Sequence, residues 1–377
     1  MNLPLLSEID DTIVAAHEAH MRTPHGRREP LYPPSVLARA ARTTTASGDA
    51  DRDPLAYGPV LRQGLQDHLR DFGDEYGVDV RPVLAAAFLV NLLTEDNLPH
   101  YTHKSMVIAG GSDALVEWVQ EWTAEEDAHG VLMRDYALLS GLIADGGVID
   151  HATYLAGRTS QLRHGTEVDP PSSYHAFAYL TLQEHLTKEA HNGLSWLLDR
   201  AGRTALRPVA GDEQNHYEFY LALSGAALAI DPDAALIGIR DAYTSFEMPG
   251  RVGIPGFDDL ALVIGVAGVF DLATIAGSMR TIATKLGIGD VAPITDAGRR
   301  AQAELLALTG ERGVRRRRTV MERVRAQVPT APGPDGLRPF VLGVTIEHDR
   351  VDTPAGPRIV GLRRVESRDR DLVAPSA

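Results

Sequence analysis

Two segments of this chain carry the same chelating spacing: Glu126 with His129, and Glu213 with His216. Residues three apart on a helix project from one face, so each pair can grip a single metal ion. Each pair is preceded by another acidic residue, Glu125 or Asp212, and each has a companion glutamate upstream, Glu95 or Glu184. The intervals repeat: 89 residues separate Glu95 from Glu184, and 87 separate Glu126 from Glu213. A lone Glu-x-x-His arises readily by chance, but a duplicated one with matched companions does not. The pattern confines the chain to folds in which two helix pairs of similar length bring four carboxylates and two imidazoles into one interior. Buried without a cation, those carboxylates would repel one another and carry a heavy desolvation cost.

Such a set is the ligand set of ferritin-like di-metal carboxylate bundles. The expected fold is therefore all-α: a ferritin-like di-iron helical bundle with flanking helices and a small irregular or β C-terminal extension. Glu95, Glu126, His129, Glu184, Glu213 and His216 are the candidate metal ligands. They give two iron ions a nearly neutral, oxygen-rich shell whose carboxylates can bridge or shift as the oxidation state changes. Oxygen can then bind at the open positions. The chain has no cysteine, which excludes disulfides, cysteine-ligated iron–sulfur clusters and thiol catalysis. Glu125 and Asp212, next to chelating glutamates, are placed to accept a hydrogen bond from the free ring nitrogen of a ligand histidine in the opposite half. Simple solvent exposure is the competing reading for Glu125.

With 377 residues, 44% of them hydrophobic and 23% charged, the chain suits a sizeable buried core. Its net charge of −14 argues against non-specific binding to nucleic acid or anionic lipid. The longest apolar run, Leu260 to Phe270, is shorter than the roughly 20 residues a membrane span needs. The N-terminus lacks the basic start and apolar core of a signal segment, so the expected location is the cytoplasm.

Residues 1–57 read as an N-terminal extension, irregular apart from a helical patch near Glu8 to Met21. His17, His20 and His25 lie in it, and no acidic residue completes a ligand set with them, so they are assigned to a surface face. Residues 58–310 read as the bundle. Its periodic stretches include Val80–Leu98, Asp113–Ala144, Tyr174–Ala201, Glu213–Ile230, Phe257–Leu286 and Thr295–Leu308. Gly146-Gly147, Asp169-Pro170-Pro171, Asp231-Pro232-Asp233 and Met248-Pro249-Gly250 punctuate them. Residues 311–377 read as an extension, with the basic run Arg315 to Arg318 as a solvated tail segment and β-type runs at Val341–Ile346 and Ile359–Arg364.

At the chelating residues the chain resembles the soluble acyl-acyl-carrier-protein desaturases. Thr94-Glu95-Asp96-Asn97-Leu98-Pro99-His100-Tyr101 is similar to that family's first ligand segment, and Trp118 with Trp122-Thr123-Ala124-Glu125-Glu126 to its second. Gln183-Glu184 with Thr187 looks like the third, and Asp212-Glu213 with His216 like the fourth, although Tyr217 intervenes before Glu218. Ile230-Asp231-Pro232-Asp233 and Met248-Pro249 recur at the expected places, and the likeness covers roughly residues 60–285.

The resemblance implies that those six residues hold two iron ions, with Glu126 and Glu213 as the bridging pair. It also implies that Thr187 lies beside the oxygen site and assists proton delivery. A helix-interior threonine bonding back to its own backbone is the alternative. The implied reaction uses O2 and two electrons from reduced ferredoxin to place a double bond in a fatty chain held on acyl carrier protein. The implied assembly is a homodimer. Two departures stand out: no tryptophan precedes Trp118, and Ala242-Tyr243-Thr244-Ser245-Phe246-Glu247 replaces basic residues before the Met-Pro segment. Two alternatives stay open on sequence. One is a di-iron oxygenase or hydroxylase of the same fold; the other is a ferritin-like iron-binding protein that oxidises no substrate.

Overall fold

The computed structural model describes residues 3–24, 33–43, 54–165 and 170–326, and, beyond them, strand segments 330–331, 340–341, 344–353 and 356–366. His25 and Asp169 lie outside the described residues. The architecture is helical, in agreement with the expected fold class. It opens with α1 (Leu3–Glu8), α2 (Asp10–Arg22), α3 (Pro33–Arg42) and α4 (Pro54–Tyr76). Next come α5 (Arg81–Glu95), α6 (Leu98–Ala109), α7 (Asp113–Leu139), α8 (His151–His164), α9 (Ser173–Ser195), α10 (Arg200–Ile230) and α11 (Pro232–Thr244). It continues with α12 (Phe257–Ala267), α13 (Leu272–Lys285), α14 (Asp296–Thr309) and α15 (Glu311–Arg325).

The long helices begin where side chains replace missing backbone partners. Ser112 accepts from the Leu115 amide at the start of α7, Ser172 from His175 at α9, and Asp199 from Gly202 at α10. The stretch read from sequence as Glu213–Ile230 begins later than α10 does. The helix starts at Arg200: Pro208 forfeits one backbone bond, and burial of α10 against α9 and α7 outweighs that loss.

Other boundaries also move. The stretch read as Asp113–Ala144 ends at Leu139, and Ile143–Ala144 (β1) pairs in parallel with Ile149–Asp150 (β2). The stretch Phe257–Leu286 breaks at Gly268, whose φ of +79° is left-handed, so that α12 and α13 meet at 81°. The α9 backbone approaches this corner so closely that a Cβ on Gly193 would collide with the Val269 carbonyl oxygen. Among the described residues no single helix is long and apolar enough to cross a membrane.

Two readings of the flanks are corrected. Residues 33–42, read as irregular, form α3, which buries Val36, Leu37, Ala40 and Ala41 against the bundle. The Arg315–Arg318 run belongs to α15, which packs on α13 and α14 and buries Met321. Arg315 is exposed and pairs with Glu311, whereas half-buried Arg317 points its guanidinium at the Leu308 carbonyl. Beyond α15, Thr330–Ala331 (β3) pairs with Phe340–Val341 (β4), and Val344–Thr353 (β5) with Gly356–Glu366 (β6), both antiparallel. Of the two β-type runs of the sequence, Ile359–Arg364 lies within β6, and Val341–Ile346 covers the end of β4 and the start of β5, with residues 342–343 outside the described residues.

The apolar core is divided in two. One cluster joins α3, α4, α5, the C-terminal half of α7, the start of α10 and α12. The other joins α1, α2, the start of α7, most of α9, the end of α10, α11, α13 and α14. Along α7 the order is Trp118 and Trp122, then Glu125, Glu126 and His129, then Leu132 and Tyr136. Along α10 the order reverses: Leu206 and Val209, then Asp212, Glu213 and His216, then Phe219 and Tyr220. A polar layer therefore crosses the bundle between two dry cores, and α7 and α10 traverse it in opposite directions.

Candidate metal centre

Four helices supply this layer. Glu95 is the last residue of α5, Glu126 and His129 sit mid-way along α7, Glu184 on α9, and Glu213 with His216 on α10. The near-equal intervals read from sequence are reached by unequal connections. The α6 helix separates α5 from α7, whereas Trp196 to Asp199 suffice between α9 and α10. All six residues are buried, with relative exposures from 0% to 8%.

They form two groups whose donor atoms lie within 4.8 Å of one another: Glu95, Glu126, His129 and Glu213, and Glu126, Glu184, Glu213 and His216. Glu126 and Glu213 belong to both. His129 Nδ1 lies 3.5 Å from Glu126 Oε2, 3.4 Å from Glu213 Oε1 and 4.0 Å from Glu95 Oε2. His216 Nδ1 lies 3.0 Å from Glu126 Oε1, 3.8 Å from Glu184 Oε2 and 3.9 Å from Glu213 Oε2. Both histidines thus aim Nδ1 inward.

Their outward nitrogens meet the two extra acids, crossed between the halves as expected. His129 Nε2 is 3.2 Å from Asp212 Oδ2, and His216 Nε2 is 2.8 Å from Glu125 Oε2. A carboxylate behind each ring favours the Nε2–H tautomer and leaves Nδ1 free to ligate. Glu125 is buried, so the solvent-exposed alternative is excluded.

Two contributors escaped sequence reasoning. His191, on α9, is 1% exposed and holds Nε2 3.0 Å from Glu95 Oε1. It lies seven residues after Glu184, two turns along the same face, and that spacing was the available signal. His20, assigned above to a surface face, is 4% exposed and places Nε2 3.1 Å from Glu125 Oε1, with its ring edge-on to Trp118. The assignment failed because its partner lies on another helix, far along the chain. His17 is only partly buried, against the same tryptophan. Asp96 fixes the end of α5: it accepts from Tyr154 Oη at 2.7 Å and Arg134 Nη2 at 2.9 Å, and pairs with Arg158.

The metal-free electrostatics are those of a cation site. Burial, reinforced by neighbouring Glu126 and Glu213, pushes the Glu95 carboxyl up to about 7 against the opposing His191 bond. Burial and the Glu213 and Glu126 charges hold Glu184 well above the carboxylate range. Burial would likewise raise Glu125, but the His20 and His216 bonds outweigh it and hold this carboxyl at about 2. Burial opposes charge on His129 and His216, yet their carboxylate neighbours raise both well above the ordinary imidazole value. Both oxygens of Glu184, both of Glu213, and Nδ1 of His129 and His216 are buried and make no hydrogen bond among the described residues. Unsatisfied oxygen and imidazole donors converging in a dry layer fit two borderline-hard divalent ions.

Beside this layer lies a cavity of about 590 Å³. Glu95, Glu126 and Thr187 form part of its wall, with Ile108, Trp122, Leu180 and Met248 among its apolar lining. Thr187 Oγ1 donates to the Gln183 carbonyl at 3.1 Å and accepts from Gln183 Nε2 at 3.0 Å. The back-bonded conformation is therefore present, on a residue that also faces the cavity.

Comparisons with known proteins identify the family. A family model described as fatty acid desaturase matches residues 62–332, well beyond the span of likeness read from sequence. The chloroplastic acyl-[acyl-carrier-protein] desaturase 3 of Oryza sativa subsp. indica is 31% identical over 300 residues, covering 71% of this chain and 73% of that protein. The seed-specific chloroplastic stearoyl-[acyl-carrier-protein] 9-desaturase of Brassica napus is 26% identical over 285 residues, covering 71% and 67%. The X-ray structure of DesA2 from Mycobacterium tuberculosis H37Rv, by name an acyl-ACP desaturase, superposes with a TM-score of 0.52 at 15% identity. That match covers 79% of this chain and 99% of DesA2, and it shows a shared fold.

Proposed function

Because this chain belongs to the fatty acid desaturase family, we propose that it is an oxygen-dependent desaturase that places a double bond in a fatty acyl chain carried on acyl carrier protein. The carrying observation is the cavity whose wall includes Glu95 and Glu126. A cation held by those glutamates would face its interior.

In this reading Glu95, Glu126 and His129 with Glu213 would hold one ion, and Glu184 and His216 with the shared Glu126 and Glu213 would hold the other. Two iron ions there would supply the electron transfer to O2 that removal of hydrogen from unactivated carbons requires. Asp212 and Glu125 keep the imidazoles oriented from behind. The apolar wall excludes water and aligns the acyl chain. The Thr187 hydroxyl lies on the cavity wall with its proton on the Gln183 carbonyl, and rotation off that carbonyl would present the proton to the cavity. One O2, two electrons and two protons convert a –CH2–CH2– unit into –CH=CH– and two waters. A ferredoxin-type protein is the proposed donor, a homodimer the proposed assembly and the cytoplasm the proposed location. The absence of cysteine suits a reducing compartment.

The test is product analysis after supplying iron-loaded protein with reduced ferredoxin, O2 and acyl carrier protein bearing saturated chains. The expected product is a mono-unsaturated chain two mass units lighter. A hydroxylated chain would assign the same site to the oxygenase alternative, and iron oxidation with unchanged acyl chains would overturn the desaturase reading.

A further inference from the structure

We propose that His20, on the N-terminal helix α2, is a positioning residue of the metal centre, acting through Glu125 on the ligand His216. The inference rests on the metal reading above and extends it to a helix outside the four that carry ligands.

Helix α2 packs on α7 and α10 through a stripe formed by Ile13, Ala16 and His20, with Ile9 at its start. A histidine at the end of an apolar stripe is costly to bury, and an aliphatic residue would fill the gap beside Trp118 with less desolvation. What His20 gains over an aliphatic residue is a polar contact, Nε2 to Glu125 Oε1 at 3.1 Å. Glu125 uses its other oxygen for His216 Nε2 at 2.8 Å, and His216 turns Nδ1 to Glu126 at 3.0 Å. The chain His20–Glu125–His216 therefore runs from α2 through α7 to α10.

Its tautomers are fixed by elimination. A carboxylate between two rings accepts from both, so each Nε2 carries hydrogen and Nδ1 is the nitrogen that His216 would offer a metal once its own proton leaves. Without His20, Glu125 Oε1 would be left buried without that bond, and the carboxylate could swing away from His216. Trp118 braces the arrangement: its ring stacks on Phe219 with centroids 3.7 Å apart, and its edge contacts reach both His20 and His216. Asp10, at the other end of α2, accepts from Ser112 Oγ at 3.0 Å and pins the helix to the start of α7. Among the described residues this chain of contacts ends on His216, a donor of the group with Glu126, Glu184 and Glu213, so α2 conditions that half-site directly.

The test compares wild type with His20→Leu, His20→Gln and His20→Asn. Metal-free protein is titrated anaerobically with Co(II), followed by its visible absorption, and separately loaded with ⁵⁷Fe(II) for Mössbauer spectra. His20→Leu is expected to weaken one of two uptake steps by about 10- to 100-fold and to perturb one of two iron signals. His20→Gln, whose amide can still reach Glu125, is expected to recover most of the loss; His20→Asn, a bond shorter, is not. A purely structural role would lower thermal stability and leave the ratio of the two affinities unchanged. If His20→Leu does not fold, the Gln and Asn variants decide, and equal affinities in the two overturn the proposal. Wild type taking up no metal overturns the reading beneath it; two ions bound with unchanged affinities in His20→Leu overturn this proposal alone.

Discussion

At the residue scale the site is two imidazoles aimed inward by carboxylates behind them, around two glutamates common to both donor groups. Unequal consequences follow for different residues. Glu213→Ala should abolish uptake of both ions, whereas His129→Ala should weaken one by more than about 100-fold and spare the other. Asp212→Ala should lower iron content and turnover together, and unchanged values in metal analysis and product assays would dismiss its role. The metal-free protein has a definite pH response. Between the ordinary 4.5 and about 7, the folded state keeps a proton on Glu95 that the unfolded chain has released. Stability of the metal-stripped protein should therefore fall as pH rises through that window, and raised His129 and His216 act in the same direction. Because ligation expels those protons, metal affinity should rise over the same range; melting and Co(II) titrations at about pH 5 and about pH 8 test both signs. The six clustered residues were legible because helical spacing and duplication are local signals. His191 was half-legible, seven residues from Glu184. His20 was not, since nothing near residue 20 announces a partner at residue 125.

At the element scale, sequence located the helices better than their ends. The periodic stretch was read from Glu213 only, yet α10 starts at Arg200 and runs through Pro208, because one lost backbone bond is small beside the apolar face it buries. A continuous apolar run concealed the turn at Gly268, since apolarity says a segment is buried and not whether it bends. The first turn of α10 is tied down by Asp199, which accepts both the Gly202 amide at 2.8 Å and Tyr136 Oη at 2.7 Å. Asp199→Ala removes a cap and orphans a buried phenol, so it should cost about 2 to 3 kcal/mol, read as a lowered denaturation midpoint at unchanged slope. Asp199→Asn, which still offers an oxygen, should lose less.

For the whole molecule, the polar layer between two dry cores joins stability to chemistry. Metal removal leaves four buried carboxylates facing one another, so the stripped protein should melt well below the loaded one, by an amount that grows with free metal concentration. The cavity beside the layer makes a separable claim. Leu180→Trp should shorten the longest acyl chain turned over while leaving two ions bound, as chain-length series and metal analysis would record. The cavity lay beyond what sequence could supply, because its wall gathers α5, α6, α7, α9 and the Met248–Gly253 turn from across the chain. The most direct measurement is anaerobic ferrous titration of the metal-free chain, with wild type and Glu213→Ala side by side. The account predicts two irons per chain in wild type and almost none in the variant. Wild type binding no iron above background, or the variant binding as much as wild type, would contradict it.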